Sequence, residues 1–133
     1  EYSCKVVRVV DGDTVDVDVN LGFGIVYSNQ RIRLYGIDAP ESRTRNRIEK
    51  KYGLYAKEFL KARLGETCTL RTRLDGKGKF GRILGEFIVD DVNVNEEMVD
   101  KHMVVRYHGQ SKKDIQDEHK KNYAILTEQG LVE

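Results

Sequence analysis

The residues best suited to chemistry in this sequence lie within one segment, residues 31–41. Apolar and polar residues alternate at its start, which predicts a half-buried strand with Arg33 on the polar face. Pro40 then turns the chain off the sheet, so Asp38 and Glu41 leave the strand end a few residues from Arg33. Two carboxylates beside an arginine can hold a cation next to an anion. The alternative, for this cluster alone, is a surface turn with a solvated ion pair.

Length and composition are those of one globular domain, which we expect to span residues 1–133. Because the net charge is only +1, affinity for a polyanion must come from local patches. No apolar run approaches membrane-spanning length, and we expect neither a signal peptide in this chain nor a membrane partner. The first residue is Glu1 and not Met, from which we expect a processed or trimmed chain whose compartment stays open.

The elements that must position the cluster are short strands. They are predicted over residues 3–10, 15–20, 31–37, 67–74 and 80–89. A second acidic turn, Asp11-Gly12-Asp13, separates the first two strands, and Asp-Gly is a strong hairpin signal. Taken by itself, this segment could be no more than a turn. Residues 15–37 should form one long curled hairpin that turns near residues 28–30.

Apolar spacing and stop signals predict the helices. They span residues 52–64, 94–103 and 114–129. Residues 42–51 are strongly basic and lack useful periodicity, which predicts a mobile loop that is either merely solvated or steers a polyanion. Five strands, a helix between the third and fourth, and two C-terminal helices predict an α+β fold built on a five-stranded β-barrel of the OB type. A doubly wound sheet would need alternating helices, which this order lacks.

Several charged or reactive residues outside the cluster have structural interpretations. Asp16 and Asp18 alternate with valines and are expected to face solvent rather than bind metal. Arg31 is expected to pair with a carboxylate across the sheet. The three histidines share no zinc-ligand spacing. Cys4 and Cys68 also lack metal-ligand spacing, and we expect two free, buried thiols because a domain of this size needs no disulfide.

Three separated motifs resemble the staphylococcal nuclease (thermonuclease) family in order and content. They are Val-Asp-Gly-Asp-Thr at residues 10–14, Arg-Leu-Tyr-Gly-Ile-Asp-Ala-Pro-Glu at residues 33–41 and Lys-Phe-Gly-Arg at residues 79–82. The resemblance extends over nearly the whole chain. It implies an OB-fold, calcium-dependent phosphodiesterase that cuts DNA and RNA, favours single-stranded or frayed regions and leaves 5′-hydroxyl and 3′-phosphate ends. It also favours a secreted, monomeric protein.

The family's functional positions carry over residue by residue. The Ca²⁺ ligands fall on Asp13, Asp38 and the backbone carbonyl of Ala39, and the catalytic positions fall on Arg33, Glu41 and Arg82. Calcium takes hard oxygen ligands, and a carbonyl serves whatever side chain its residue carries. Independently of the family, arginines can fork onto phosphate oxygens, and a nearby glutamate can accept a proton from an attacking water.

The candidate contacts to substrate are Lys79, Phe80 and Tyr107. Phe80 stands where the family often has tyrosine, so a hydroxyl contact is missing, and Tyr107 is the candidate for stacking on a nucleotide. The alternative function is a non-catalytic OB module that binds nucleic acid or protein. A degenerate module should have lost an arginine or a carboxylate. Because the sequence retains all of them, it favours the enzyme.

Overall fold

A computed structural model describes residues 1–77 and 83–132 of the chain. Its strands are Tyr2–Asp11 (β1), Thr14–Gly22 (β2), Ile25–Leu34 (β3), Ile37–Asp38 (β4), Thr67–Lys77 (β5), Ile83–Val89 (β6), Val92–Asn93 (β7) and Val105–Arg106 (β8). Its helices are Arg47–Leu64 (α1), Val94–Asp100 (α2) and Lys112–Glu128 (α3). Within this described part of the chain, none of the helices is long and apolar enough to cross a membrane.

The five long strands close into a barrel. They follow the order β3-β2-β1-β5-β6 with antiparallel neighbours, and a parallel pairing of β3 with β6 joins the two edges. That pairing places Ile32 opposite Ile83 and Leu34 opposite Gly85. Closure pairs the backbone N–H and C=O groups that would otherwise be left open on the edge strands. The barrel confirms the predicted α+β fold with a five-stranded OB-type barrel. It also holds Arg33 at the seam where the barrel closes.

The core is formed by alternate residues of the strands and by one face of α1. Side chains that are at most 1% exposed include Val15, Val17, Ile32, Leu34, Leu70, Phe87, Ala56, Leu60 and Leu64. Burial of a Val, Leu, Ile or Phe side chain contributes roughly 1.5–3 kcal/mol. The apolar face of α1 is therefore fixed on the barrel core. The turn between β1 and β2 and the segment after β4 pack against this helix.

The β2–β3 hairpin turns at residues 23–24 and not near residues 28–30, so that part of the prediction is wrong. Phe23 and Gly24 have positive φ angles of 56° and 76°, as a two-residue turn needs if it is to match the twist of its strands. Asn29 also has a positive φ, 52°, but it lies inside β3. Its N–H bonds to Asp18 Oδ1 at 2.7 Å, beside an irregularity in the β2–β3 register.

The helix limits differ from the predicted ones for local reasons. α1 begins at Arg47, inside the predicted loop, because the Asn46 side chain caps it by accepting the N–H groups of Ile48 and Glu49. Its first turn is largely exposed and so carries no apolar pattern. α2 ends three residues earlier than predicted, and α3 begins two residues earlier because Ser111 caps it.

Cys4 and Cys68 lie directly opposite each other on β1 and β5. Their Sγ atoms are 3.4 Å apart, and both are free thiols, as the sequence predicted, although Cys68 is only partly buried. The hydrogen bond with Cys4, together with burial, holds the pKa of Cys68 far above its usual value.

Candidate active site

The acidic turn between β1 and β2 is bonded to the segment that follows β4. Asp13 accepts the N–H of Leu34 with its backbone carbonyl at 2.8 Å and the N–H of Ala39 with Oδ2 at 3.0 Å. Asp11 Oδ1 accepts the N–H of Ser42 at 3.3 Å and also the Ser42 hydroxyl. Hydrogen bonds to a carboxylate are stronger than neutral ones, so the two turns are held together as one unit.

Small residues let α1 pack directly beneath these turns. A Cβ on Gly12 would lie 2.8 Å from Ala56 Cβ and 3.0 Å from Ala39 Cβ, which is too close for real side chains. A Cβ on Gly53 of α1 would overlap the backbone carbonyl of Glu41. The close approach of helix and turns therefore requires glycine at both positions.

Arg33 lies between the two carboxylates that the sequence predicts as metal ligands. Its Nη1 is 3.0 Å from Asp13 Oδ2, and its Nη2 is 3.4 Å from Asp38 Oδ1. The Arg33 side chain is 16% exposed. Burial raises the pKa of Asp13, and the positive charge of Arg33 offsets this only in part. Two carboxylates thus share one arginine, which leaves negative charge that a cation can neutralise.

His119 is a site residue that the sequence analysis missed. Its Nε2 lies 2.8 Å from the second carboxylate oxygen of Asp38, Oδ2. This contact spans 81 positions of the chain, so no local motif could reveal it. The available signal was a polar residue in line with Ile115 and Leu126 on the inward face of α3. Such a residue needs a polar partner, and that partner is Asp38, whose side chain is 30% exposed.

The remaining predicted site residues are less tightly placed. Glu41 is exposed in the segment that follows β4, residues 39–41, which we call the β4 turn. Tyr107 is 47% exposed and lines a cleft of about 340 Å³ together with Arg33, Tyr35 and His108. The predicted residues Lys79, Phe80 and Arg82 lie outside the described residues. The structure therefore brings Arg33, Asp13 and Asp38 together and puts Tyr107 beside them.

The donor chemistry around Arg33 fits a calcium ion. Asp13 and Asp38 direct oxygens at the same guanidinium, and Ala39 provides the next carbonyl along the chain. Calcium takes about six to eight oxygen ligands, which include carboxylates, backbone carbonyls and waters. In the described part of the chain, no group of three or more His, Cys, Asp and Glu side chains could hold a metal. Carbonyls and waters would therefore complete the coordination shell.

Asp16 is buried, and the expectation that it faces solvent is wrong. Its residue exposure is 7%, because two arginines cover it. Arg31 donates to Asp16 Oδ1 from Nε at 2.8 Å and to Oδ2 from Nη2 at 3.1 Å, and Arg8 lies 3.5 Å from Oδ2. The predicted cross-strand partner of Arg31 is thereby confirmed. Asp18 instead accepts the N–H of Asn29.

The family model described as "Staphylococcal nuclease homologue" matches residues 31–130. The chain belongs to this family. Endonuclease YhcR of Bacillus subtilis is 33% identical over 107 residues, which cover 74% of this chain and 8% of that protein. Thermonuclease of Staphylococcus hyicus is 31% identical over 99 residues, 74% of this chain and 55% of that protein. A protein of Escherichia coli named "Uncharacterized endonuclease" is 36% identical over 97 residues, 71% of this chain and 54% of that protein.

The family membership confirms the resemblance seen in the motifs. Apart from the much longer YhcR, the chain spans about half the length of the relatives named above. The matched residues 31–130 include Arg33, Asp38, Glu41 and His119, whereas Asp13 precedes them. The place of Asp13 in the site therefore depends on the geometry, in which it bonds to both Ala39 and Arg33.

Proposed function

We propose that this chain is a calcium-dependent nuclease that hydrolyses phosphodiester bonds in DNA and RNA and leaves 5′-hydroxyl and 3′-phosphate ends. The observation that carries the proposal is the position of Arg33 between Asp13 and Asp38 at the barrel seam. Membership of the nuclease-homologue family and the nuclease names of three relatives support it.

Asp13, Asp38 and the carbonyl of Ala39 would hold the calcium. When bound, calcium supplies neutralisation of the phosphate charge and a polarised water. Among the described residues, Arg33 contacts one oxygen of each aspartate side chain and the Asp13 backbone carbonyl at 3.5 Å. A guanidinium has five N–H donors in a fixed fork, so donors remain for phosphate oxygens while Arg33 faces both aspartates.

Phosphodiester cleavage needs the growing negative charge of the five-coordinate transition state to be stabilised. We assign this to Arg33 and, by the family position, to Arg82. Glu41 is exposed just beyond the turn, where its carboxylate can accept a proton from an attacking water. Because arginine is a poor proton donor, water from solvent protonates the leaving 5′ oxygen.

The cleft beside Arg33 supplies a place for the nucleotide next to the cut bond. Tyr107 and Tyr35 line it, and an exposed aromatic ring can stack on a base that is not paired. We therefore propose that single-stranded or frayed regions of DNA and RNA are preferred. Lys79 and Phe80 are assigned as further substrate contacts by their family positions alone. One chain contains all these groups, so we propose that it acts as a monomer.

A cleavage assay tests the proposal directly. Purified protein is incubated with plasmid DNA and with single-stranded RNA, in calcium and then in excess chelator. We expect both substrates to be degraded only in calcium, and the products to accept 5′ labelling by a kinase without prior phosphatase treatment. If both substrates stay intact in calcium, the chain is the non-catalytic binding module instead. Cleavage that persists in chelator would contradict the calcium requirement.

A further inference from the structure

The two carboxylates of the site are held very differently. Asp13 is fixed on both oxygens, because Oδ1 accepts the Thr14 hydroxyl at 2.9 Å and Oδ2 accepts the N–H of Ala39 at 3.0 Å. In the described part of the chain, Asp38 has neither kind of local support. It lies in β4, a two-residue strand that pairs with β8, and its contact to Arg33 is long, at 3.4 Å. The short contact to His119, at 2.8 Å, is therefore the main restraint on its side chain.

His119 is itself held rigidly. Its side chain is 9% exposed, and its ring is roughly parallel to that of Tyr123, with centroids 6.1 Å apart. Tyr123 in turn stacks on Tyr52 of α1 with a centroid distance of 4.0 Å. The Tyr52 hydroxyl donates to the Tyr123 carbonyl at 3.2 Å, and Asn122 donates to the Val104 carbonyl at 3.2 Å. These contacts fix α3 against α1 and the chain before β8.

The second ring nitrogen shows which atom carries the proton. His119 Nδ1 is buried and has no hydrogen-bond partner among residues 1–77 and 83–132. A buried N–H without an acceptor is costly, so the proton belongs on Nε2, where Asp38 Oδ2 accepts it. With Oδ2 occupied in this way, Asp38 Oδ1 is the oxygen that faces Arg33 and the Asp13 side of the site.

We infer that His119 is a positioning residue for Asp38, and through it for the bound cation. This inference rests on the proposed calcium site, and it adds a residue from α3 that the family motifs do not contain. The imidazole binds Asp38 Oδ2 and so prevents rotation of the carboxylate. Asp38 Oδ1 then stays directed toward Arg33 and the Asp13 side of the site. Groups that orient a metal ligand in this way typically change metal affinity by about 10–100-fold when they are removed.

Calorimetric titration of the full chain with calcium alone tests this inference without relying on catalysis. His119→Leu should weaken calcium binding by about 10–100-fold. In the same variant, the calcium concentration that gives half-maximal cleavage should rise by a similar factor, because the loss lies in metal affinity. His119→Gln retains a long side chain with an N–H donor and should recover most of the affinity.

A matched control separates positioning from loosening of α3. Leu126→Ala removes a 1% exposed residue of the same helix that packs with Tyr52 and Val132, and it should lower thermal stability while calcium affinity stays near the parent value. If His119→Leu does not fold, His119→Asn replaces it, since the shorter amide cannot reach Asp38 and should lose affinity where glutamine retains it.

The outcomes distinguish this inference from the proposed function. Calcium affinity that is unchanged in His119→Leu, or that falls equally in Leu126→Ala, overturns the role of His119 even if the parent cuts nucleic acid. A parent that binds calcium through Asp38 but cuts nothing ends the nuclease proposal, while a loss of affinity in His119→Leu still supports the positioning role. A parent that binds no calcium overturns both.

Discussion

Two clusters of aspartate and arginine lie next to each other on the β2–β3 pair, and their geometry differs. In one, Asp16 directly opposes Arg31 in the strand register and receives two hydrogen bonds from it. In the other, Arg33 opposes Thr14 and reaches Asp13 beyond the strand end. Arg33 also lies near Asp38, so a single guanidinium there faces two carboxylates.

The directions in which the pKa values of Asp13 and Asp16 are shifted reflect this difference. The hydrogen bond from Arg31 lowers the pKa of Asp16, so its charged form is well satisfied. Burial raises the pKa of Asp13 despite the nearby Arg33, so its charged form is held at a cost. A cluster that satisfies its own charge stabilises the barrel. A cluster that keeps excess negative charge is suited to bind a cation.

Removal of a carboxylate from the second cluster should have the largest effect. Asp38→Ala leaves one carboxylate at the site, so calcium-dependent cleavage should be lost at ordinary calcium concentrations. Calcium affinity, measured by calorimetry with a bound nucleotide, should fall by more than the roughly 10–100-fold typical of an indirect contact. Asp16→Ala is the matched control and should bind calcium like the parent. Calcium affinity that does not change in Asp38→Ala would contradict the assignment of Asp38 as a calcium ligand.

The two arginines provide the next contrast. Arg33→Ala should lower turnover far more than substrate affinity, because the contact strengthens as charge builds up in the transition state. Loss of one such preorganised charge contact costs about 3 kcal/mol, roughly a hundredfold in rate. Arg31→Ala removes the same charge from the neighbouring strand position and should leave turnover near the parent value. Single-turnover cleavage at saturating calcium measures both. Equal losses in the two variants would contradict a specific role for Arg33.

Two further catalytic assignments can be measured in the same assay. Arg82→Ala should reduce single-turnover cleavage to a similar degree as Arg33→Ala. Glu41→Gln keeps the shape of the side chain and removes the proton acceptor, so it should behave likewise. Because this change also removes a negative charge near the metal ligands, its calcium affinity must be measured separately. Normal turnover in Glu41→Gln would show that another group accepts the proton.

The part of the site that could be predicted from sequence is local in the chain. Asp13 follows an Asp-Gly turn signal, and Arg33 and Asp38 lie five positions apart, in the successive strands β3 and β4. The pairing of β2 with β3, which places Thr14 opposite Arg33, then brings the two segments together. The same local patterns predicted the barrel strands, since alternation of apolar and polar residues records which face is buried.

The rest depended on contacts that no local pattern records. His119 reaches Asp38 across 81 positions, and only the docking of α3 on α1 brings them together. Asp16 was misassigned because alternation alone does not show that the arginines of neighbouring strands cover the polar face. The misplaced hairpin turn had a similar cause, because the positive φ of Asn29 serves an irregular strand pairing and not a chain reversal.

Arginines outside both clusters should have a smaller, purely electrostatic effect. Arg43, Arg45 and Arg47 are exposed and come directly after the β4 turn. Neutralising all three to glutamine should weaken binding of long nucleic acid and reduce the steepness of its salt dependence. The logarithmic slope should fall by roughly 0.7–0.9 for each phosphate that these arginines no longer neutralise. A dinucleotide should be bound nearly as before.

The control for this prediction removes equal charge elsewhere. The control variant neutralises Lys5, Lys57 and Lys61 together. It should leave the salt dependence close to that of the parent, because these residues lie away from the β4 turn in the sequence. If the parent and the triple arginine variant have the same slope, residues 42–51 are merely a solvated surface.

The smallest predicted effect is on the free energy of unfolding as pH changes. Asp13 and Asp16 should contribute to it with opposite signs. The lowered pKa of Asp16 means that its stabilisation is present above the unfolded pKa and is lost as pH falls through the folded pKa. The raised pKa of Asp13 means that its favourable contribution exists below the unfolded pKa and is lost as pH rises through the folded pKa.

In chelator at neutral pH, Asp16→Asn should therefore destabilise the fold, and Asp13→Asn should stabilise it. Denaturant unfolding between about pH 3 and pH 7 measures both variants, and a change of the same sign in each would show that the two clusters do not differ as proposed.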